Sequence, residues 1–151
     1  MYNIAICEDN AVQLEQIRNL FTQFSINENV KFNIYTFFTG EDLLAHDYNH
    51  YDIVVLDIKM GQLNGIDVAK IIRKTNEHLK IIFITALDKY WPDGYNVNAF
   101  RYILKPLNEN IFYNEIKNVI AAINKNKAFI TIENNGSLKK ILISNIKYLE
   151  I

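Results

Sequence analysis

Three carboxylates, a hydroxyl and an ammonium stand at the ends of apolar runs in this chain, and together they could handle a phosphoryl group. Glu8 and Asp9 follow the first run, Asp57 closes DIVVLD, Thr85 closes IIFIT, and Lys105 follows RYIL. Clustered carboxylates repel one another, and a hard divalent cation held by oxygen ligands relieves that repulsion. Magnesium suits such a set, since it takes one or two carboxylates and leaves positions for water and a phosphoryl oxygen. The metal charge lets Asp57 act as a nucleophile toward phosphorus, while Lys105 and Thr85 offer donors to the phosphoryl oxygens. Carboxylate attack needs no general base. Taken singly, the residues have plainer readings: Glu8-Asp9 as a helix cap, Thr85 as a β-branched strand residue, Lys105 as a solvated lysine before a turn. Asp57 resists one, because a carboxylate ending so apolar a run is costly to desolvate without a partner.

Bringing these residues to one rim requires a particular set of elements. Strand-length apolar runs cover Tyr2 to Cys7, Phe32 to Phe38, Asp52 to Ile58, Lys80 to Ala86 and Ala99 to Leu104, several apolar on both faces. Such runs fit a parallel sheet covered on both sides. Between them, Leu14, Ile17, Leu20, Phe21 and Phe24 mark one helix face, and Thr39-Gly-Glu-Asp opens a short helix with a capping-box pattern. Gly65 to Asn76 reads as a third helix with Ile66, Ala69, Ile72 and Arg73 on one stripe. A weakly written helix near Pro92 to Asn98 carries Gly94, and Ile111, Phe112, Ile116, Val119, Ile120 and Ile123 mark the last one. Strict strand–helix alternation predicts an open α/β sheet, whose functional groups lie outside the carboxyl ends of the strands.

After Ile123 the texture changes. Asn124 to Lys127 reads as a linker, and residues 128–151 show no helical period; Asn134-Asn135-Gly136 between β-rich runs signals a hairpin. Residues 1–122 carry 11 basic and 15 acidic side chains, whereas 123–151 carry five and two, so the net charge of −1 conceals a basic end. The near-neutral total gives no global basic surplus for nucleic acid. The single cysteine, Cys7, excludes an intrachain disulfide framework and a multi-cysteine metal site. No apolar run reaches the ~20 residues of a membrane span, and MYNIAICEDN lacks the features of a signal peptide. A cytoplasmic protein without a membrane partner is the expectation.

Glu8-Asp9, LDIKM around Asp57, FITA ending at Thr85-Ala86 and FRYILKP ending at Lys105-Pro106 resemble, in order, the motifs of the receiver domain of bacterial response regulators. The resemblance covers residues 1–122. It implies a flavodoxin-like, doubly wound five-stranded parallel sheet of order 2-1-3-4-5 with helices on both faces. It also implies a magnesium site from Asp9, Asp57 and the Lys59 carbonyl, with Glu8 acting through water. Asp57 becomes the phosphoacceptor served by a sensor histidine kinase, Lys105 a contact to the phosphoryl group, and Thr85 with Tyr102 the reporting switch. The Lys105-Pro106 peptide is expected to be cis.

The finer wording, TGEDLL, YDIVVLDI, GIDVAKIIR and GYNVNAFRYILKP, is similar to the LytTR group of quorum-sensing and virulence regulators. That group joins its receiver to an all-β DNA-binding domain, and GSLKKILISNIKYLEI resembles the opening of one. Such a domain has about a hundred residues, and the stretch from Ala128 is too short to bury a core. The expectation is a truncated chain: receiver 1–122, linker 123–127 and the incomplete start of the β domain over 128–151, with DNA contacted only through the complete domain. Strand edges left unpaired there predict self-association or a frayed tail.

By this reading phosphorylation draws Thr85 inward, Tyr102 turns, and homodimerisation is the output. Leu87 and Lys59 flank the approach of a hydrolytic water, and leucine cannot orient it, which predicts slow loss of phosphate. Tyr90-Trp91 and Tyr95 offer an aromatic surface or half-buried packing. A haloacid-dehalogenase-type phosphatase needs a carboxylate at position 59, which is lysine, and a flavin site needs a phosphate-binding loop where Glu8 and Asp9 stand. The remaining alternative is an unphosphorylated pseudo-receiver acting as a binding module.

Overall fold

The computed structural model describes residues 1–86 and 96–127, with side chains through residue 125, and the backbone of 129–134 and 137–142. The chain divides into two compact units, 1–113 and 114–151. In the first, β1(Tyr2–Cys7), α1(Ala11–Glu28), β2(Phe32–Phe37), α2(Gly40–Leu44), β3(Ile53–Leu56), α3(Gly65–Arg73), β4(Lys80–Thr85) and β5(Arg101–Leu104) follow in order. α4(Glu109–Lys127) begins in this unit and runs on into the second. The five strands form a parallel sheet of order β2-β1-β3-β4-β5: the alternation predicts an open α/β sheet, and the family resemblance implies this doubly wound order.

The core follows from strand alternation. Ala5, Cys7, Val54, Leu56, Ile81 and Phe83 share one sheet face and pack with Leu43 of α2 and Ile66, Val68, Ala69 and Ile72 of α3. The alternate residues, Ile4, Ile6, Ile53, Val55, Ile82 and Ile84, are equally buried. α1 contacts β1 and β2 through the face of Leu14, Ile17, Phe21 and Phe24, and Phe21 meets Phe112 edge-on with centroids 4.9 Å apart.

Helix starts are written locally. Thr39 Oγ1 accepts from the Asp42 N–H at 3.1 Å, as the capping-box pattern predicts, and Asn64 Oδ1 accepts from the Asp67 N–H at 2.9 Å. α1 is capped by Asn10, whose Oδ1 accepts from the Gln13 N–H at 3.0 Å, so the plainer reading of Glu8-Asp9 as the helix cap does not hold. α3 ends at Arg73, short of Asn76, because the Arg73 guanidinium turns back to the Asn76 carbonyl and also binds those of Val97 and Asn98. Those last two bonds pin the turn before β5, where Asn98 takes a left-handed conformation, and β5 starts at Arg101 rather than Ala99.

Two further expectations are revised. Asn124 to Lys127, read as a linker, continue α4 to Lys127. Nothing in NKNK breaks a helix, and lysines in a last turn suit the helix dipole. On α4, Phe112, Ile116, Val119 and Ile123 are buried at four-three-four spacing, whereas Ile111, expected on the same face, is exposed. Of the helix expected near Pro92 to Asn98, residues 92–95 lie outside the described residues, as do Leu87, Tyr90 and Trp91.

In the second unit β6(Phe129–Asn134) and β7(Ser137–Leu142) pair antiparallel with Asn134 opposite Ser137. This is the two-residue hairpin connection that Asn135-Gly136 signals.

Gly65 shows how tightly the sheet's carboxyl edge is built. Its N–H donates to the Ile58 carbonyl at 2.8 Å, and a Cβ there would run into the backbone carbonyl of Asp57. Gly65→Ala is expected to lower stability by about 1–3 kcal/mol, the usual range for overpacking. Chemical denaturation measures it, and an unshifted midpoint would show that the loop yields freely.

Candidate functional site: an acidic cleft at the carboxyl edge of the sheet

Strand register brings the candidate residues together. Cys7 pairs with Leu56, Leu56 with Phe83, and Phe83 with Tyr102, so these four form one row across the sheet. Glu8 and Asp57 each stand one residue beyond that row, Thr85 two beyond, and Lys105 three beyond. The ladder continues past the strand ends, with Asp57 N–H donating to the Cys7 carbonyl at 3.1 Å and Lys105 N–H to the Thr85 carbonyl at 2.9 Å. The Lys105–Pro106 peptide is cis.

Glu8, Asp9 and Asp57 each offer a carboxylate oxygen, and these oxygens all lie within 4.8 Å of one another. Glu8 and Asp57 are buried and Asp9 is exposed. Lys105 Nζ donates to Glu8 Oε1 at 2.5 Å and to Asp57 Oδ2 at 3.0 Å, and also to Gln13 Oε1. Thr85, fully buried, Ala86 and Lys59 complete the walls of a cleft of about 410 Å³. The predicted set of Glu8, Asp9, Asp57, Lys59, Thr85 and Lys105 therefore shares one cleft. Tyr102 stands apart on β5, partly buried against the core with its ring 6.0 Å from that of Phe83.

Sequence reasoning missed Gln13 and Asn10. Gln13 projects from the first turn of α1, and its signal is spacing alone: four residues after Asp9, it returns to the same side of the chain once the helix begins. Asn10 carries the usual N-cap side chain, and its N–H also donates to Glu8 Oε2 at 3.3 Å.

The electrostatics are those of like charges forced together. Burial, reinforced by Asp57, pushes the Glu8 carboxyl up to about 7 against the opposing bonds from Lys105 and Asn10. Burial alone would lower the Lys105 ammonium, but its bonds to Glu8 and Asp57 outweigh that and hold it above its ordinary value. Burial likewise pushes the neighbouring Cys7 thiol up to about 12, which leaves it a neutral core group beside Met60.

Three oxygen donors within reach of one point, two of them buried, are a hard donor set that a divalent cation fits. Glu8 binds a proton more readily in the fold than in the unfolded chain. Its protonated form therefore supports the fold below about pH 4.5, and that support fades as pH rises through about 7. A cation in the cleft must displace that proton. Its affinity is expected to fall as pH drops below about 7, by up to about tenfold per unit, in calorimetric titrations at several pH values. Equal affinity at pH 6 and pH 8 would remove Glu8 from the cation's surroundings.

Among known proteins, the family model of the response regulator receiver domain matches residues 4–117. The transcriptional regulatory protein LytR of Staphylococcus aureus is 34% identical over 117 residues, 78% of this chain and 41% of that protein. The sensory transduction protein LytT of Bacillus anthracis is 39% identical over 69 residues, 46% of this chain and 28% of that protein. The crystal structure of the response regulatory domain of mrkE from Klebsiella pneumoniae superposes with a TM-score of 0.72 at 28% identity, covering 82% of this chain and 98% of that one. The chain spans about two fifths of the length of the LytR protein it matches. With its sheet order, acidic cleft and matched residues in agreement, the chain belongs to the response regulator receiver domain family, and its receiver is similar to those of LytR and LytT.

Proposed function

We propose that this receiver accepts a phosphoryl group on Asp57 from a sensor histidine kinase and passes the event on as a change in self-association. The observation that carries the reading is the Lys105 ammonium bonded to both Glu8 and Asp57 inside a three-carboxylate cleft. An Asp57 oxygen forms the new bond to phosphorus as the bond from phosphorus to the donor's imidazole nitrogen breaks, and the leaving imidazole regains its proton from solvent. Lys105 keeps its charge and offers an N–H to the phosphoryl oxygens, and Thr85 offers its hydroxyl from the end of β4. Magnesium, held by Asp9, Asp57 and the Lys59 carbonyl with Glu8 through water, would offset the repulsion between carboxylate and phosphate. The chain is thus a phosphoacceptor that takes part in its own phosphorylation rather than an enzyme acting on other molecules.

The downstream half of the reading rests on likeness to LytR and LytT. Residues 128–151 would be the opening of a LytTR-type DNA-binding domain, and transcription would be controlled from the cytoplasm through the complete form of that domain. Among the described residues no helix is long and apolar enough to cross a membrane. Phosphoaspartate would draw the Thr85 hydroxyl toward it and let Tyr102 turn from its place near Phe83, altering the β5 side of the sheet on which phosphorylated copies pair.

Incubated with magnesium and a small phosphodonor, the protein is expected to gain the mass of one labile acyl phosphate, and Asp57→Asn to gain none. A folded chain that stays unmodified would leave the pseudo-receiver reading in its place. Thr85→Ala is expected to take up phosphate more slowly yet to remain monomeric when modified, as size measurement on the phosphorylated sample would show. Dimerisation equal to that of the parent would break the proposed link between Thr85 and output.

A further inference from the structure

The Lys105 ammonium has three protons and three acceptors, and the third acceptor is unlike the others. Glu8 and Asp57 are carboxylates at strand ends, whereas Gln13 is a neutral amide on α1, half-buried at the lip of the cleft. Its place is fixed by the cap: Asn10 binds the Gln13 N–H, and Asn10 is itself tied to Glu8. The amide is held over the ammonium by the same residues that start the helix.

A phosphoryl oxygen arriving on Asp57 needs an N–H from Lys105, and all three are engaged. One bond has to be given up. A hydrogen bond from an ammonium to a neutral amide is weaker than one to a carboxylate, so the bond to Gln13 is the one released at least cost. We propose that Gln13 is a positioning residue: it occupies the third N–H of Lys105 until a phosphoryl group claims it, and by doing so slows phosphoryl entry at Asp57. The exchange moves one N–H contact from Gln13 Oε1 to a phosphoryl oxygen, and no proton leaves Lys105. This inference rests on the reading of Asp57 as phosphoacceptor.

The test compares the parent chain with Gln13→Leu, which keeps the bulk and removes the acceptor, and Gln13→Glu, which replaces the amide by a carboxylate. With saturating magnesium and a small phosphodonor, Gln13→Leu is expected to take up phosphate about three- to tenfold faster, the worth of one ordinary hydrogen bond, and Gln13→Glu more slowly than the parent. A readout independent of phosphorylation is the labelling of Lys105 by an amine-acylating reagent, followed by mass spectrometry. It should rise in Gln13→Leu and fall in Gln13→Glu, with labelling of Lys31 and Lys80 serving as the measure of an intact fold. Parent-like uptake and labelling in Gln13→Leu, while the parent itself forms the acyl phosphate, would overturn the role of Gln13 and leave that of Asp57 standing. If the parent takes up no phosphate, the underlying reading fails instead.

Discussion

Two buried carboxylates on adjacent strands, compensated by a lysine that follows β5, are the interaction on which the rest depends. The register that pairs Cys7 with Leu56 leaves Glu8 and Asp57 no choice but to be neighbours. In a low-dielectric setting two such charges are costly unless a cation faces them. Lys105 supplies it, and can do so only because β4 intervenes and hands β5 its register through Phe83 and Tyr102. The ammonium is therefore part of the site's ground state.

Features decided within a few residues could be read directly from the sequence, and those decided by packing could not. The span of β1, the Thr39 cap and the Asn134–Ser137 pairing rest on side chains next to the backbone groups they serve, and the structure has them as expected. The end of α3 could not be read, because Arg73 binds the carbonyls of Val97 and Asn98, more than twenty residues away. Ile111 looked like a core residue until the helix phase was fixed by Phe112 and Ile116. The candidate site was legible for a different reason: an apolar parallel strand that ends in a carboxylate advertises it. Gln13 carries no charge, and its proximity to Lys105 depends on where α1 begins, so its spacing from Asp9 was the one signal it gave.

The contrast in charge along the chain runs between residues 1–122 and 123–151, a boundary that falls within α4. The acidic excess belongs to residues 1–122, which hold the cleft, and the basic excess to 123–151, where lysines fall within and after β7. An acidic excess and the proposed phosphoryl acceptance are compatible, because such a site would work through a single well-placed cation rather than through net charge.

The parallel ladder also acts as a ruler. Each functional group is placed by counting residues past a common row of strand partners, and side chains alternate faces at every step. Inserting or deleting one residue within β1, β3, β4 or β5 would turn a carboxylate or the lysine away from its partners and send a hydrophobic group to the wrong face. The connections at the opposite end of the sheet carry no such arithmetic. Length variation among kindred chains should therefore collect there, at the amino-terminal ends of the strands, while the strand interiors stay fixed in length even where their residues change.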